Sequence, residues 1–400
     1  MEPKAIKPKK VVILGSTGSI GTSALKVARE IPDHMEVVGL AAGSQGEALG
    51  AQAREFGVKC LSIADEAQRE TVLASAPPGS EVHVGEQGLR ELACLPDADL
   101  VLISIVGTAG LQPALDAIGA GKDLAVASKE ILVMAGEIVM SAAAEAGVNV
   151  LPVDSEHNAI FQCLEGNPVG ADAVRRLLLT ASGGPFRTAC PDALDQVTPE
   201  QALEHPTWEM GRKISIDSAT MFNKGLEMIE ARWLFGVGME RVEVVVHPQS
   251  IVHSMVEFVD GSVLAQVSTT DMCFPIQYAV TWPHRIGHSL EPLDFATLAR
   301  LDFEAPREEV FPALRLAREA GTVCGTMPAV MNAANEVAVE AFLNGAIPFP
   351  KIWGLVEEVM GQHLVVKSPS LEALIEADAE ARHMARAGLG REIGRVPGKR

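Results

Sequence analysis

The pattern of apolar and polar positions over residues 1–153 alternates between short apolar runs and longer Ala-rich amphipathic stretches. The apolar runs, rich in Val, Ile and Leu, lie at 11–14, 37–40, 100–105, 124–126 and 148–151. Strands of a parallel sheet are buried on both faces and read as such continuous runs. The stretches between them are long enough for crossover helices. The pattern therefore predicts an α/β fold that begins with a Rossmann-like, doubly wound domain.

The pattern changes after residue 153. A strand is expected at 241–246, and two further apolar runs flank Asp260-Gly261, a dipeptide that favours a tight hairpin. Residues 154–281 are therefore predicted to form a central α+β domain with a partly antiparallel sheet. Residues 282–306 lose this periodicity and are predicted to form a connecting arm.

Residues 307–400 are helical in character and predict a C-terminal α-helical bundle. Helices are expected at 327–344, 350–360 and 371–387. Ser368 is a candidate N-cap for the last of them, with Pro369 in the first helical position.

A glycine-rich turn follows the first apolar run and precedes a helix expected from about Ser19 to Glu30. It reads Gly15-Ser16-Thr17-Gly18-Ser19-Ile20-Gly21. Glycines at this spacing allow a tight turn, approach of a pyrophosphate and close packing of helix on strand. The free N–H groups at the helix N-terminus attract phosphate. The turn predicts a dinucleotide site at 1–153, although ordinary Gly-rich turns also occur between strand and helix.

The second apolar run ends in Gly43-Ser44-Gln45 without an acidic residue. NAD-linked enzymes usually place Asp or Glu here to hold a ribose hydroxyl. Because no carboxylate would repel a 2′-phosphate, the segment is compatible with NADP.

A pair of carboxylates follows the last apolar run of the first domain, in Asp154-Ser155-Glu156. On an extended segment, Asp154 and Glu156 would lie on one side. Two hard oxygen ligands at the carboxyl end of a strand suit Mg²⁺ or Mn²⁺. The alternative is a helix N-cap with acidic residues in the first helical turn.

A second polar cluster lies within 218–227, which is predicted to be one helical segment. Asn223 and Glu227 are four residues apart and would share a face, with Lys224 beside them and Ser218 about one turn before. This combination favours a phosphate clamp next to a third metal ligand. The alternative is a solvated polar face.

Three further polar segments are candidates, although each alone is more typical of a loop. Ser182, in Ser-Gly-Gly-Pro-Phe, follows an apolar run and could face an anion. Residues 205–211 carry His205 and Trp208, a composition typical of a mobile lid. Lys129, in Ser-Lys-Glu at 128–130, is expected to point into the nucleotide crevice.

The net charge of −19 argues against binding to nucleic acid or to an acidic membrane surface. No apolar stretch reaches the roughly 18–20 residues of a membrane span, and the short polar start does not suit a signal peptide. The six scattered cysteines include no Cys-x-x-Cys pair. These features predict a soluble, cytoplasmic protein with reduced thiols.

Taken together, the motifs resemble the 1-deoxy-D-xylulose 5-phosphate reductoisomerase family over essentially the whole chain. The resemblance is carried by 15–21, 128–130, 154–162, 181–186, 205–227, 247–258 and 331–342. It implies conversion of this sugar phosphate to 2-C-methyl-D-erythritol 4-phosphate with NADPH and Mg²⁺ or Mn²⁺. It also implies a V-shaped homodimer with an NADPH domain (1–153), a catalytic domain (154–281), an arm (282–306) and a helical domain (307–400).

The resemblance also implies roles for individual residues. The metal ligands would be Asp154, Glu156 and Glu227. The substrate contacts would be Lys129, Ser155, Glu156, Ser182, His205, Ser218, Asn223, Lys224 and Glu227, under a lid with His205, Trp208 and Met210. Lys129 would join the three carboxylates in catalysis. The cofactor contacts would be Gly15, Thr17, Gly18, Ser19, Ile20, Gly21, Gly43, Ser44, Gln45, Ser128, Glu130 and Gly211. The family often has Asn at Ser128 and Lys-Asn at Ser44-Gln45, which weakens the expected contact with the 2′-phosphate.

The nearest alternative enzyme is a semialdehyde dehydrogenase, which also begins with a glycine-rich turn of this kind. Such an enzyme needs an activated cysteine, for which Cys163 and Cys190 are the candidates. A non-catalytic NADP-sensing protein is a further alternative. It would be expected to have lost a carboxylate or Lys129, and all of these are present.

Overall fold

The computed structural model describes residues 7–165, 170–208, 210–287 and 289–393. It divides into two compact units. The first unit comprises 7–131, 137–162 and 271–293, and the second unit comprises the rest. The predicted domain boundaries after 153, 281 and 306 stay predictions, because the two compact units do not test where these boundaries lie.

The strands and α-helices of the described residues are numbered in chain order. The strands are β1 Lys9–Leu14, β2 Met35–Ala42, β3 Cys60–Ile63, β4 Glu81–Val84, β5 Leu100–Ile103, β6 Asp123–Val126, β7 Val150–Pro152, β8 Val174–Ala181, β9 Val242–Val246, β10 Val252–Phe258 and β11 Val263–Val267. The helices are α1 Ser19–Glu30, α2 Gly46–Phe56, α3 Arg69–Ser75, α4 Gly85–Ala93, α5 Leu111–Gly119, α6 Lys129–Ala146, α7 Ser155–Leu164, α8 Pro199–Leu203, α9 Arg212–Thr220, α10 Phe222–Phe235, α11 Cys273–Thr281, α12 Phe295–Leu298, α13 Ala313–Val323, α14 Met327–Leu343, α15 Lys351–Gln362 and α16 Leu371–Ile393.

The first unit is built on a seven-stranded parallel sheet in the order β4-β3-β2-β1-β5-β6-β7. The central strands β1 and β5 are buried along almost their whole length, as their apolar runs predict. The predicted doubly wound domain is therefore confirmed. Strands β3 and β4 were not predicted, because Cys60–Ile63 and Glu81–Val84 are short and interrupted by polar residues.

Helix α11 packs on the first unit. Its buried side chains Cys273, Ile276 and Val280 join the same apolar core as Ala24 and Leu25 of α1. Lys26 Nζ on α1 lies 3.3 Å from Asp271 Oδ2, just before α11. The chain therefore returns to the first unit after completing the sheet of the second.

The second unit contains a mixed four-stranded sheet in the order β11-β10-β8-β9. Strand β10 runs antiparallel to β8 and β11, while β8 and β9 are parallel. The predicted hairpin at Asp260-Gly261 is confirmed, and Asp260 Oδ1 accepts a hydrogen bond of 2.8 Å from Ser262 N. This sheet matches the predicted α+β character of the central region.

Helices α13 to α16 form the predicted helical C-terminal region around side chains such as Phe342 and Phe349. The predicted cap at Ser368-Pro369 is wrong. Helix α16 begins at Leu371, and Ser370 Oγ accepts a hydrogen bond of 3.3 Å from Ala373 N. A capping hydroxyl reaches the N–H two or three residues on, which Ser370 does for this helix.

Among the helices of the described residues, none combines the length and the apolar character needed to cross a membrane.

We expect Gly21→Ala to lower the free energy of unfolding by about 1–3 kcal/mol. A Cβ at Gly21 would collide with the Gly15 carbonyl oxygen and come within 2.5 Å of Ser16 Cα. Both are backbone atoms, which cannot rotate away. Urea denaturation measures the change.

Gly119→Ala is the matched control, since Gly119 ends α5 and an added Cβ there meets nothing within 4 Å. Alanine favours helix over glycine by about 1 kcal/mol, so this control should be neutral or stabilising. Equal denaturation midpoints for the two variants would contradict the packing role of Gly21.

Candidate active site

The N-terminus of α1 forms one part of the candidate site. Gly18 is the N-cap residue, and no side chain of the described residues caps its N–H groups. Gly18 and Ser19 are exposed, while Ser16 is buried and held by Gln52, whose Oε1 accepts a hydrogen bond of 2.7 Å from Ser16 Oγ. Exposed N–H groups with the positive end of a helix dipole suit the phosphates of a dinucleotide.

The turn after β2 forms a second part of the same edge. Gly43, Ser44 and Gln45 are exposed, and a Cβ at Gly43 would meet nothing within 4 Å. The turn is fixed from the other side, since Gly43 O accepts a hydrogen bond of 3.0 Å from Asp65 N. The parallel strands β1 and β2 thus end in two open turns side by side, the geometry of a nucleotide crevice.

Lys129 and Asp154 lie at the carboxyl ends of the neighbouring strands β6 and β7. Lys129 Nζ is 2.8 Å from Asp154 Oδ2, and the two side chains are only 7% and 12% exposed. Ser128, just before α6, donates a hydrogen bond to Ile105 O, and Glu130 is buried. The sheet topology therefore brings Lys129 to a carboxylate that lies 25 positions later in the chain.

The segment from Asp154 to Glu156 is not extended, so the predicted backbone was wrong. Helix α7 begins at Ser155, and Asp154 Oδ1 accepts a hydrogen bond of 3.3 Å from Glu156 N. The residues form the helix N-terminus that was the alternative interpretation. Both carboxylates stay half-buried there, where the helix dipole stabilises negative charge.

His157 is a residue of this region that the sequence analysis did not select. It is fully buried, and its Nδ1 lies 3.6 Å from Asp154 Oδ1. The i,i+3 spacing on α7 places it against Asp154. A histidine three residues after a candidate metal ligand is the signal that could have identified it.

The polar cluster of the second unit lies on two helices rather than one. Met221, with φ of 67°, breaks the predicted segment into α9, which carries Ser218, and α10, which carries Asn223, Lys224 and Glu227. A left-handed residue ends a helix because it turns the following N–H groups off the axis. The sequence did not predict this helix break, since a methionine such as Met221 rarely takes a positive φ.

On α10, Glu227 is held from both sides. Asn223 Nδ2 donates a hydrogen bond of 2.6 Å to Glu227 Oε1, and Lys224 Nζ forms an ion pair with Glu227 Oε2. The side chains of Glu227 and Lys224 are 1% and 4% exposed. The shared face predicted from the spacing is confirmed, and it is buried rather than solvated.

Ser182 and His205 form a second polar group in this unit. His205 Nδ1 accepts hydrogen bonds of 2.9 Å from Trp208 N and 3.2 Å from Thr207 N. The neutral ring therefore carries its proton on Nε2, which donates to Ser182 Oγ at 2.9 Å. Ser182 Oγ also accepts from Gly184 N at 3.2 Å. With two hydrogen bonds accepted, the Ser182 hydroxyl is oriented to donate its own hydrogen elsewhere.

Gly184 brings the Ser182 loop against the end of α9. Its φ is 67°, and a Cβ there would lie 2.9 Å from Ser218 O and 3.1 Å from Ala219 Cα. Only glycine allows this approach of backbone to backbone. The loop after β8 and the helix that carries Ser218 are therefore neighbours, although 36 residues separate Ser182 from Ser218.

The described residues 205–208 and 210–211, between α8 and α9, belong to no helix or strand. Trp208 and Met210 are partly buried, and Gly211 is the exposed N-cap residue of α9. Glu209 of this motif lies outside the described residues. An irregular segment with a large aromatic side chain is consistent with the predicted lid.

Three of the cysteines have thiols that ionise less readily than a free cysteine, the opposite of the activated thiol that the alternative enzyme needs. Burial raises the pKa of Cys273 to about 12, with Asp271 adding to the effect. Burial also raises the pKa of Cys60 and Cys94. Of the two candidates, Cys163 is buried and Cys190 is exposed on a loop.

Comparison with known proteins gives matches along almost the whole chain. A family model described as 1-deoxy-D-xylulose 5-phosphate reductoisomerase matches residues 11–136. Models described as the C-terminal domain of the same enzyme match 150–235 and, as DXP reductoisomerase C-terminal domain, 267–384.

Curated relatives of the same name have about half of their residues in common with this chain. The protein from Symbiobacterium thermophilum is 55% identical over 94% of this chain and 98% of its own length. A protein of that name from Pseudomonas putida is 50% identical over 96% of this chain and 98% of its own length.

Solved structures of the same enzyme superpose on the chain. A 1-deoxy-D-xylulose 5-phosphate reductoisomerase from Zymomonas mobilis in complex with NADPH has a TM-score of 0.89 at 45% identity, covering 96% of this chain and 99% of its own. A DOX-P reductoisomerase in complex with NADPH, fosmidomycin and magnesium has a TM-score of 0.89 at 39% identity, covering 96% and 98%.

Proposed function

The chain belongs to the 1-deoxy-D-xylulose 5-phosphate reductoisomerase family, and from that premise we propose how its own residues carry out the family reaction. The enzyme converts 1-deoxy-D-xylulose 5-phosphate to 2-C-methyl-D-erythritol 4-phosphate with NADPH and a divalent metal, in the non-mevalonate route to isoprenoid precursors. The observation that carries the residue assignments is the pairing of two carboxylates, the half-buried Asp154 and the buried Glu227, with Lys129 and Lys224.

NADPH is proposed to lie over the two open turns of the first unit. The uncapped N-terminus of α1 and the space at Gly43 fit its phosphates and ribose. The proposed contacts are Gly15, Thr17, Gly18, Ser19, Ile20, Gly21, Gly43, Ser44, Gln45, Ser128, Glu130 and Gly211. Because Ser44 and Gln45 offer hydrogen bonds but no positive charge, the 2′-phosphate would be held here by neutral donors.

Asp154, Glu156 and Glu227 are proposed as the ligands of one Mg²⁺ or Mn²⁺. The donor set fits, since these ions prefer carboxylate oxygens. Asp154 and Glu227 are each neutralised by a lysine in the structure. A cation could replace that positive charge without leaving a buried carboxylate unpaired. When bound, the ion supplies Lewis acidity and NADPH supplies hydride.

The substrate phosphate is proposed to bind at Ser182, His205, Ser218, Asn223 and Lys224. The Ser182 hydroxyl is oriented to donate, and the Gly184 contact keeps its loop next to Ser218. Lys224 would exchange Glu227 for the phosphate once the carboxylate binds a cation. A fixed phosphate supplies remote binding energy that orients the reacting carbons.

Lys129 is proposed to act at the reacting oxygens together with Ser155 and Glu156. Its ammonium group, held against Asp154, can stabilise a developing negative charge and move a proton at Nζ. His205, Trp208 and Met210 would close over the substrate and exclude water from the aldehyde that precedes reduction.

We propose a cytoplasmic location for this enzyme, supported by the six cysteines, which are all free of disulfide bonds in the structure.

A homodimer is proposed on the basis of strand β11, the outermost strand of its sheet. Its residues Val263 and Leu264 are 49% and 44% exposed, and the neighbouring Val259 is 66% exposed. An exposed apolar edge strand is suited to pairing with a second copy.

We expect Glu227→Gln to abolish metal-dependent turnover, because an amide oxygen binds Mg²⁺ far more weakly than a carboxylate. Folding and NADPH binding should persist, since the turns of the first unit are unchanged. The measurement is the loss of NADPH absorbance on addition of 1-deoxy-D-xylulose 5-phosphate and Mg²⁺, with NADPH affinity from fluorescence.

Glu243→Gln on β9 is the matched control, because it removes a half-exposed carboxylate that pairs with Arg176. It should keep the wild-type rate. Near-normal turnover by Glu227→Gln would remove the metal assignment.

Lys224→Met should raise the KM for the sugar phosphate about ten- to a hundredfold, because one charge-assisted contact with phosphate is lost. Methionine keeps the buried stem packed. Steady-state kinetics measures KM, and Lys367→Met, at an exposed lysine, is the control. An unchanged KM would place the phosphate elsewhere.

The double variant Val263→Lys/Leu264→Lys should halve the mass measured by sedimentation, because two charges at the edge strand oppose its pairing. Val323→Lys, at a side chain 43% exposed on α13, is the control. A monomeric wild type or a variant that stays dimeric would refute this interface.

A further inference from the structure

We propose that Asn335 on α14 and Lys213 on α9 are positioning residues for the substrate phosphate, acting on Ser218 through the buried carboxylate of Asp217. This inference rests on the proposed phosphate site and adds residues that its direct contacts do not include. It makes the helical C-terminal region part of substrate recognition.

Asp217 is a buried carboxylate with two partners. Its side chain is 1% exposed, and its Oδ2 lies 2.8 Å from Lys213 Nζ, one turn earlier on α9. Its Oδ1 accepts a hydrogen bond of 2.8 Å from Asn335 Nδ2 on α14, 118 positions later in the chain. A carboxylate this deeply buried is costly unless each oxygen is satisfied. The pair of partners therefore fixes Asp217 in one place.

The position of Asp217 decides the direction of Ser218. The two residues are consecutive on α9, so their side chains are separated by a fixed turn of roughly 100° around the helix axis. Helix α9 is short, has no side-chain N-cap among the described residues and ends at the left-handed Met221. Its rotation about its own axis is therefore set by tertiary contacts, and the hydrogen bond from Asn335 to Asp217 is a polar contact that crosses to another helix.

The residue type at 335 is not what stability alone would select. The buried positions of α14 are mostly Ala, Val and Met, and Asn335 is fully buried among them. Replacing a buried polar contact by well-packed apolar side chains is often neutral or stabilising. A directional contact instead selects one orientation of α9, which a substrate-binding helix needs.

Helix α14 is itself anchored at the residue that follows Asn335. Glu336 Oε2 lies 2.7 Å from Arg382 on α16, and Arg382 also binds Asp378. The C-terminal helix thus holds α14 firmly, so that Asn335 presents its amide at a defined point.

The experiment compares Asn335→Ala with Asn332→Ala. Asn332 lies one turn earlier on α14, is 1% exposed, and donates to Glu336 Oε1 at 3.0 Å rather than to Asp217. In both residues the amide oxygen is buried without a partner among the described residues, which makes them a matched pair. Asn335→Ala should raise the KM for 1-deoxy-D-xylulose 5-phosphate about tenfold with kcat within about threefold. Asn332→Ala should leave KM unchanged even if it lowers the melting temperature as much.

A double-mutant cycle with Ser218→Ala tests the route of the effect. If Asn335 acts through Ser218, then Asn335→Ala should change KM less than about twofold in the Ser218→Ala background. A full tenfold effect in that background, or equal KM shifts for the two asparagine variants, overturns the proposal. If Asn335→Ala does not fold, the isosteric Asp217→Asn is measured in the same cycle, with the same outcomes.

The cycle also separates this proposal from the one on which it rests. An unchanged KM for Ser218→Ala alone would refute the phosphate site itself. A raised KM for Ser218→Ala with an unchanged KM for Asn335→Ala refutes only the positioning role.

Discussion

Burial of negative charge is the constraint on which the site depends. The side chain of Asp154 in the first unit is 12% exposed and that of Glu227 in the second is 1% exposed, and each forms an ion pair with a lysine. Such a carboxylate is tolerated only while a positive charge stays close. Lysine serves this purpose in the structure, and in the proposed function a divalent cation takes its place. Two of the proposed metal ligands, Asp154 and Glu227, therefore have a proposed catalytic or substrate-binding lysine beside them.

Helix ends supply most of the remaining chemistry. The N-terminus of α1 faces the exposed turn at Gly18, and the N-terminus of α7 carries Asp154 and Glu156. In the second unit, α9 ends at Met221 and α10 begins directly after it. This break places Ser218 and Lys224 on two different helices. Helix N-termini leave N–H groups and side chains for ligands, while the strands behind them fix their position.

The overall acidity of the chain is compatible with an anionic substrate because the positive groups and hydrogen-bond donors proposed to act on it are local and held in place. Lys224 and Lys213 are both fixed by carboxylates on their own helices, and His205 is oriented by backbone N–H groups. Oriented donors of this kind act at short range, whereas salt largely screens the distant surface charges that contribute to the net charge of −19. Specific recognition and an unfavourable overall field can thus coexist.

The sequence by itself determined the parallel sheet and the glycine turn with α1 at Ser19–Glu30. It also determined the hairpin at Asp260-Gly261 and the shared face of Asn223 and Glu227. Local periodicity and turn chemistry specify each of these features. Only the tertiary structure decided the helical start at Ser155, the break at Met221 and the contacts of Asp217 with Asn335 and of Ser182 with His205. The contacts of Asp217 and Ser182 depend on packing between segments far apart in the chain, which no local pattern records, whereas the helical start at Ser155 was one of two interpretations of the local sequence.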